Sequence, residues 1–167
     1  MYTKERSFKL ARIISSLFIL LFITGCDYSK PQETIVQNSS EMVPPKVKIE
    51  IEDTVHSTEQ ATYCWRNDNS AECLNLPTAI EILENTKPIE VSSKETITLV
   101  IKRQPSEQTI TIQNTESNEI DEITIKNSKF KAPTAKGIYI LNYYAIWEKD
   151  ETKTSGDSSY VFKIEVK

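Results

Sequence analysis

The sequence predicts a mainly β protein, an antiparallel sandwich of two sheets with one short crossover helix. Three observations carry that prediction. Past residue 45, five segments alternate apolar and polar side chains with a period of two, the signature of strands with one buried face. Turn-forming residues recur about every ten positions, which suits a sandwich better than a propeller. One run, residues 137–147, is apolar at both parities and so reads as a central strand covered on both faces.

The elements follow in order. Residues 46–52, Lys-Val-Lys-Ile-Glu-Ile-Glu, put valine and isoleucine on one side and charge on the other. Pro77 opens the one helical candidate, 77–84, since proline suits the first helical position, and Ile80 with Leu83 forms a single apolar contact row. So short a helix is not stable unaided, so it is expected to cap the sandwich. Residues 94–103 bring Ile97, Leu99 and Ile101 inward, 109–113 and 122–126 alternate likewise, and Tyr160, Phe162, Ile164 and Val166 close the chain. Within 137–147, Tyr139, Leu141, Tyr143, Ala145 and Trp147 share one face, and Ile138, Ile140, Asn142, Tyr144 and Ile146 the other. The opening Gly137-Ile138-Tyr139 resembles the F strand of immunoglobulin-like sandwiches, which implies an immunoglobulin-like fold for residues 46–167.

The first 26 residues carry a different signal. Lys4, Arg6, Lys9 and Arg12 form a basic region offset only by Glu5, residues 13–23 are apolar, and Ile23-Thr24-Gly25-Cys26 ends the run. This has the three parts of an export signal, and its last four residues resemble a bacterial lipobox. The resemblance implies cleavage between Gly25 and Cys26, with a diacylglyceryl group on the Cys26 sulfur and further acylation such as palmitate. A transmembrane helix would need about 20 mostly apolar residues, more than this run offers before Asp27. Two acyl chains suffice for durable anchoring, so the expected location is the extracytoplasmic face of the cell membrane. Residues 1–25 are then a signal peptide, 26–45 the lipidated cysteine with a polar, proline-punctuated tether, and 46–167 the sandwich. At coil dimensions the tether averages roughly 25 Å, from 5–6 Å times the square root of residue number.

Composition bounds the chemistry. The 167 residues carry a formal charge of −4, and removing a leader with four basic residues and one acidic residue takes the remainder to −7. That acidity argues against nucleic acid and against docking on anionic lipid headgroups. Three glycines and one histidine in the whole chain exclude glycine-rich phosphate loops and histidine-based metal clusters. His56 reads as a loop histidine, with no nucleophile elbow elsewhere to suggest a triad. Asp68, Ser70 and Glu72 alternate like the start of a calcium loop but lack its glycine and its distal glutamate. No metal and no cofactor is expected.

Cys64 and Cys73 flank Asn67-Asp68-Asn69-Ser70, which is turn chemistry. Export would place them where thiols oxidise, and a structural disulfide is the favoured reading. Two free thiols are the alternative; redox chemistry is disfavoured because the spacing is not Cys-x-x-Cys. Among the aromatic residues, Trp65, Tyr144 and Trp147 are candidates for a binding surface, against the competing demand of a small sandwich for aromatic core.

Thr62-Tyr63-Cys64-Trp65 with Cys73, Lys87-Pro88-Ile89, Ala132-Pro133, Lys136-Gly137-Ile138-Tyr139 and the closing 156–162 stretch resemble small uncharacterised lipoproteins of Bacillus-like Gram-positive bacteria. The resemblance covers most of residues 59–167 and implies an anchor and a β-rich domain, with no catalytic residues to carry over. The expected function is therefore a non-catalytic binding or interaction module of the cell envelope, its partner an envelope protein or polymer. An inhibitor or immunity-type binder of a protease or toxin is the first alternative, and a carboxylate-based envelope hydrolase the second.

Overall fold

The computed structural model of the protein describes residues 42–167; the expected leader, Gly25, Cys26 as the expected lipidation position, and the part of the expected tether up to Glu41 lie outside the described residues. Eleven strands and one helical turn follow in order: β1 (Val47–Ile51), β2 (Thr54–Ser57), β3 (Glu59–Arg66), β4 (Ala71–Leu74), α1 (Ala79–Ile82), β5 (Ile89–Val91), β6 (Thr96–Ile101), β7 (Glu107–Asn114), β8 (Ile120–Ile123), β9 (Lys129–Lys131), β10 (Gly137–Trp147) and β11 (Ser155–Val166). They form a β-sandwich. The smaller sheet runs β2-β1-β6-β9, the larger β4-β3-β11-β10-β7-β8. All pairings between these neighbours are antiparallel; β5 adds a short parallel pairing to the end of β11, beyond the stretch that β3 covers. No described helix is long and apolar enough to cross a membrane.

The alternation read from the sequence decides which side chains meet between the sheets. Ile49, Ile97 and Leu99 of the small sheet and Ile110, Leu141, Tyr143, Phe162 and Ile164 of the large one are all buried in a single cluster. Each such side chain contributes about 1.5–3 kcal/mol by leaving water. β10 is central in the large sheet, paired along its length with β11 and along most of it with β7. At its opening, the Tyr139 hydroxyl donates to the carbonyl of Ala135 at 2.9 Å, the backward hydrogen bond of a tyrosine corner.

Four details differ from the expectations above. The helical turn is capped by Thr78, whose hydroxyl and Glu81 form a capping box, so Pro77 precedes the cap instead of opening the helix. The Ile80–Leu83 row does not form: Leu83 is fully buried while Ile80 is 51% exposed. Leu83 instead packs with Ala61, Ile140 and Val161, flanked by Ala79 and Ile82, so the turn covers the outer face of the large sheet where β3, β10 and β11 run side by side. The strand expected at 122–126 lies earlier, at Ile120–Ile123, where it pairs with β7. Lys126 instead bridges to Lys129 across Asn127 and Ser128, both at positive φ, a tight hairpin turn that breaks the ladder. His56 belongs to edge strand β2, not a loop, because Glu52 and Asp53 at φ 51° and 43° turn the chain back so that Ile51 faces Thr54.

Candidate binding cleft

The β3–β4 hairpin is built by its turn. The Asn67 side-chain oxygen accepts from the backbone N–H of Asn69 at 2.8 Å and of Ser70 at 2.9 Å, the local bonding that favours Asn in turns. The resulting register sets Cys64 opposite Cys73. Their Cα atoms are 4.1 Å apart and their sulfurs are bonded at 2.08 Å. β4 is exposed along its whole length, so the bridge staples an edge strand that has no buried side chain of its own.

Beside this hairpin the ends of β10 and β11 complete a cleft of about 650 Å³. Asp68 from the turn accepts a hydrogen bond and ion pair from Lys149, which ties the hairpin to the chain leaving β10. That hydrogen bond and the lysine charge hold the Asp68 carboxyl below its ordinary value. The wall carries Arg66, Lys149 and Lys153 against Asp68, Glu148 and Asp157, with Ile146 and the disulfide as apolar surface. Three cations and three anions leave the cleft without a dominant sign.

Arg103, which sequence reasoning did not single out, organises the neighbouring loops. Its guanidinium pairs with Asp150 at 2.8 Å and donates to the Thr154 hydroxyl at 3.1 Å and the Thr154 carbonyl at 2.9 Å. It also lies 5.5 Å from the centroid of the Trp65 ring, within cation–π range. The Trp147 indole N–H donates to the Arg103 carbonyl at 2.8 Å. The Asp150 carboxyl is held below its ordinary pKa chiefly by hydrogen bonds from Thr152, with Arg103 adding to them.

The candidate aromatic surface is corrected by burial. Trp65 and Trp147 are each 1% exposed and meet edge to face, centroids 5.7 Å apart, with Tyr160 6.4 Å from Trp147. They support the cleft from beneath and offer no ring face to solvent. The reason is parity: Trp65 and Trp147 fall on the inward faces of β3 and β10, whereas Tyr144 projects outward at 37% exposure. Burial, then the charges of Asp157 and Glu107, push the Tyr144 phenol up. Tyr144 thus stands on the same outer face as Ile146, beside the cleft.

No group of three or more His, Cys, Asp or Glu side chains that could hold a metal ion occurs among the described residues. The fold and cleft define the class of the molecule as a β-sandwich with a disulfide-stapled edge hairpin. Comparison with protein-family profiles and with curated proteins returns no match.

Proposed function

We propose that the protein is a lipid-anchored, extracytoplasmic binding module of the cell envelope that does not catalyse a reaction. The observation that carries this reading is Ile23-Thr24-Gly25-Cys26 at the end of a short apolar run, followed by a polar spacer and one sandwich. The cleft supports it. Asp68, in its wall, has a carboxyl held below the ordinary pKa, whereas a general acid working near neutrality needs its pKa raised. A charge-balanced wall with an apolar patch suits a polar segment of a protein or polymer partner better than a small ion.

Cys26→Ser is the direct test of the anchor. It should abolish acyl labelling and release the protein from the membrane fraction; unchanged attachment would sink the lipoprotein reading. Two thiols should become reactive at Cys64 and Cys73 only after reduction of protein recovered from the envelope. Full labelling before reduction would show that the pair is not oxidised in the cell. In-cell crosslinking from Tyr144 should capture an envelope partner. Turnover of a peptidoglycan or peptide panel, lost on single carboxylate changes, would replace binding by hydrolysis, and stoichiometric protease or toxin inhibition would favour the inhibitor reading.

A further inference from the structure

The net negative charge of the chain conceals a basic face. Residues of the small sheet alternate, with Val47, Ile49, Ile51, Ile97, Leu99 and Phe130 buried against the large sheet. Strand register then puts the intervening positions together on the outer face: Lys48 lies opposite Val100, Glu50 opposite Val55, Thr98 opposite Lys129 and Thr96 opposite Lys131. Lys46 and Lys102 extend the same parity at the strand ends. Five lysines therefore share this face with a single acid from its strands, Glu50; Glu52 and Asp53 lie at the hairpin turn beyond one end. The face is unpartnered among the described residues.

Apolar side chains sit among these lysines. Val43, Val55 and Val100 are 48%, 51% and 38% exposed, and all three line one groove of about 710 Å³ together with Lys46, Lys48 and Lys102. Val43 is also where the chain comes in from the direction of Cys26. Fifteen residues separate Cys26 from Met42, which bounds the distance between them at roughly 55 Å. A lipidated Cys26 would hold this face at high effective concentration beside the bilayer.

We infer that the lysine face of the small sheet docks on the anionic headgroup surface of the membrane in which Cys26 is anchored. The orientation rests on the lipoprotein reading, while the affinity of the face for anionic lipid does not. Lysines attract anionic headgroups within about a Debye length, ~10 Å at 0.1 M salt, and the three valines would enter the headgroup layer. The sandwich then lies flat, with the outer face of the large sheet, carrying Tyr144 and the cleft, turned away from the lipid toward the envelope.

The test uses unacylated protein, residues 26–167 with Cys26→Ser, so that it is independent of the anchor. Sedimentation with vesicles of phosphatidylglycerol and phosphatidylcholine should show binding that pure phosphatidylcholine vesicles do not, and that high salt abolishes. Lys48→Glu with Lys102→Glu should weaken it by about tenfold or more. Glu50→Lys should strengthen it severalfold, a gain that a folding defect cannot imitate. Binding that is absent, equal on neutral vesicles, or indifferent to these changes overturns the inference. Tighter binding to a soluble phosphate-rich wall polymer or to duplex DNA overturns it as well and reassigns the face. Loss of acyl labelling with intact vesicle binding separates the anchor from the face.

Discussion

At Gly156 the backbone of β11 runs so close to β3 that a β-carbon would stand 2.1 Å from the carbonyl oxygen of Cys64 and 2.9 Å from the Cα of Trp65. The residue also sits at φ +152°, and Gly137 at +147°, yet at Gly137 the nearest atom to an added β-carbon is 3.6 Å away. The two glycines therefore separate conformational strain from steric overlap. Gly137→Ala should cost only backbone strain, about 1–3 kcal/mol. Gly156→Ala should add a comparable overpacking cost and open the β3–β11 seam next to the disulfide. Urea denaturation of both variants checks this, and equal midpoints would show that the close approach relaxes freely. Both glycines are plain in the sequence, but which one answers a close contact is not, because that depends on the register of strands far apart in the chain. Trp65 and Trp147 were ambiguous for a related reason. Alternation within 137–147 placed Trp147 on the same parity as Tyr143, yet only the packing of the facing sheet decided that this parity was the interior. Arg103 left no local trace, since its partners Asp150 and Thr154 and the Trp65 ring come from other loops and strands.

At the scale of elements, long strands with strict alternation were legible and short ones were not. The stretches around β1, β6, β10 and the second half of β11 carry four or more apolar residues or a strict period of two, and the structure has strands there, although β10, expected to be covered on both faces, is fully buried on its outer face only at Ile140. β2, β4, β5 and β9 have only three or four residues each, too few for periodicity to distinguish a strand from a loop. They exist because turns and pairing partners fix them. The helical turn is the instructive case. It has four residues, far below the length at which helices persist in water, so its capping box and one buried side chain must hold it. Leu83 is that side chain, fully buried over Ile140, Ala61 and Val161. Leu83→Ala should cost about 2–5 kcal/mol, whereas Ile80→Ala, at a position 51% exposed, should lie within about 0.5 kcal/mol of the parent. Thermal or urea melts of the pair decide it. Similar losses at both positions would restore the apolar row that spacing alone suggested and would mean that α1 packs through a different face.

For the whole molecule, averages mislead where register segregates. A net charge of −4 for the chain pointed away from anionic surfaces, yet the pairing of β1, β6 and β9 gathers lysines from three separate segments onto one side. The same long-range pairing sets Tyr143 and Tyr160 side by side on β10 and β11, their rings tilted by 36° with centroids 6.2 Å apart. The Tyr143 hydroxyl donates to the Gln108 side chain at 2.9 Å, and that of Tyr160 donates to the carbonyl of Pro45. The second bond ties the start of the sandwich to its last strand. Burial pushes the Tyr160 phenol up to about 12, and burial together with Tyr160 raises Tyr143 further still, from an ordinary value of 10.0. A raised phenol keeps its proton in the folded chain after the unfolded chain has lost it. Unfolding therefore releases protons above pH 10, and stability falls with rising pH there. Below pH 10 the contribution of both tyrosines is fully present. The urea midpoint should accordingly hold steady through neutral pH and decline from about pH 10. Absorbance near 295 nm should show these two phenols ionising only as the sandwich opens. Replacing both tyrosines with phenylalanine keeps the rings and removes the titration, so the alkaline decline should flatten even if the neutral-pH midpoint drops with the lost hydrogen bonds. An unchanged alkaline slope in that double variant would place the loss elsewhere, on the remaining tyrosines or on lysines of the basic face.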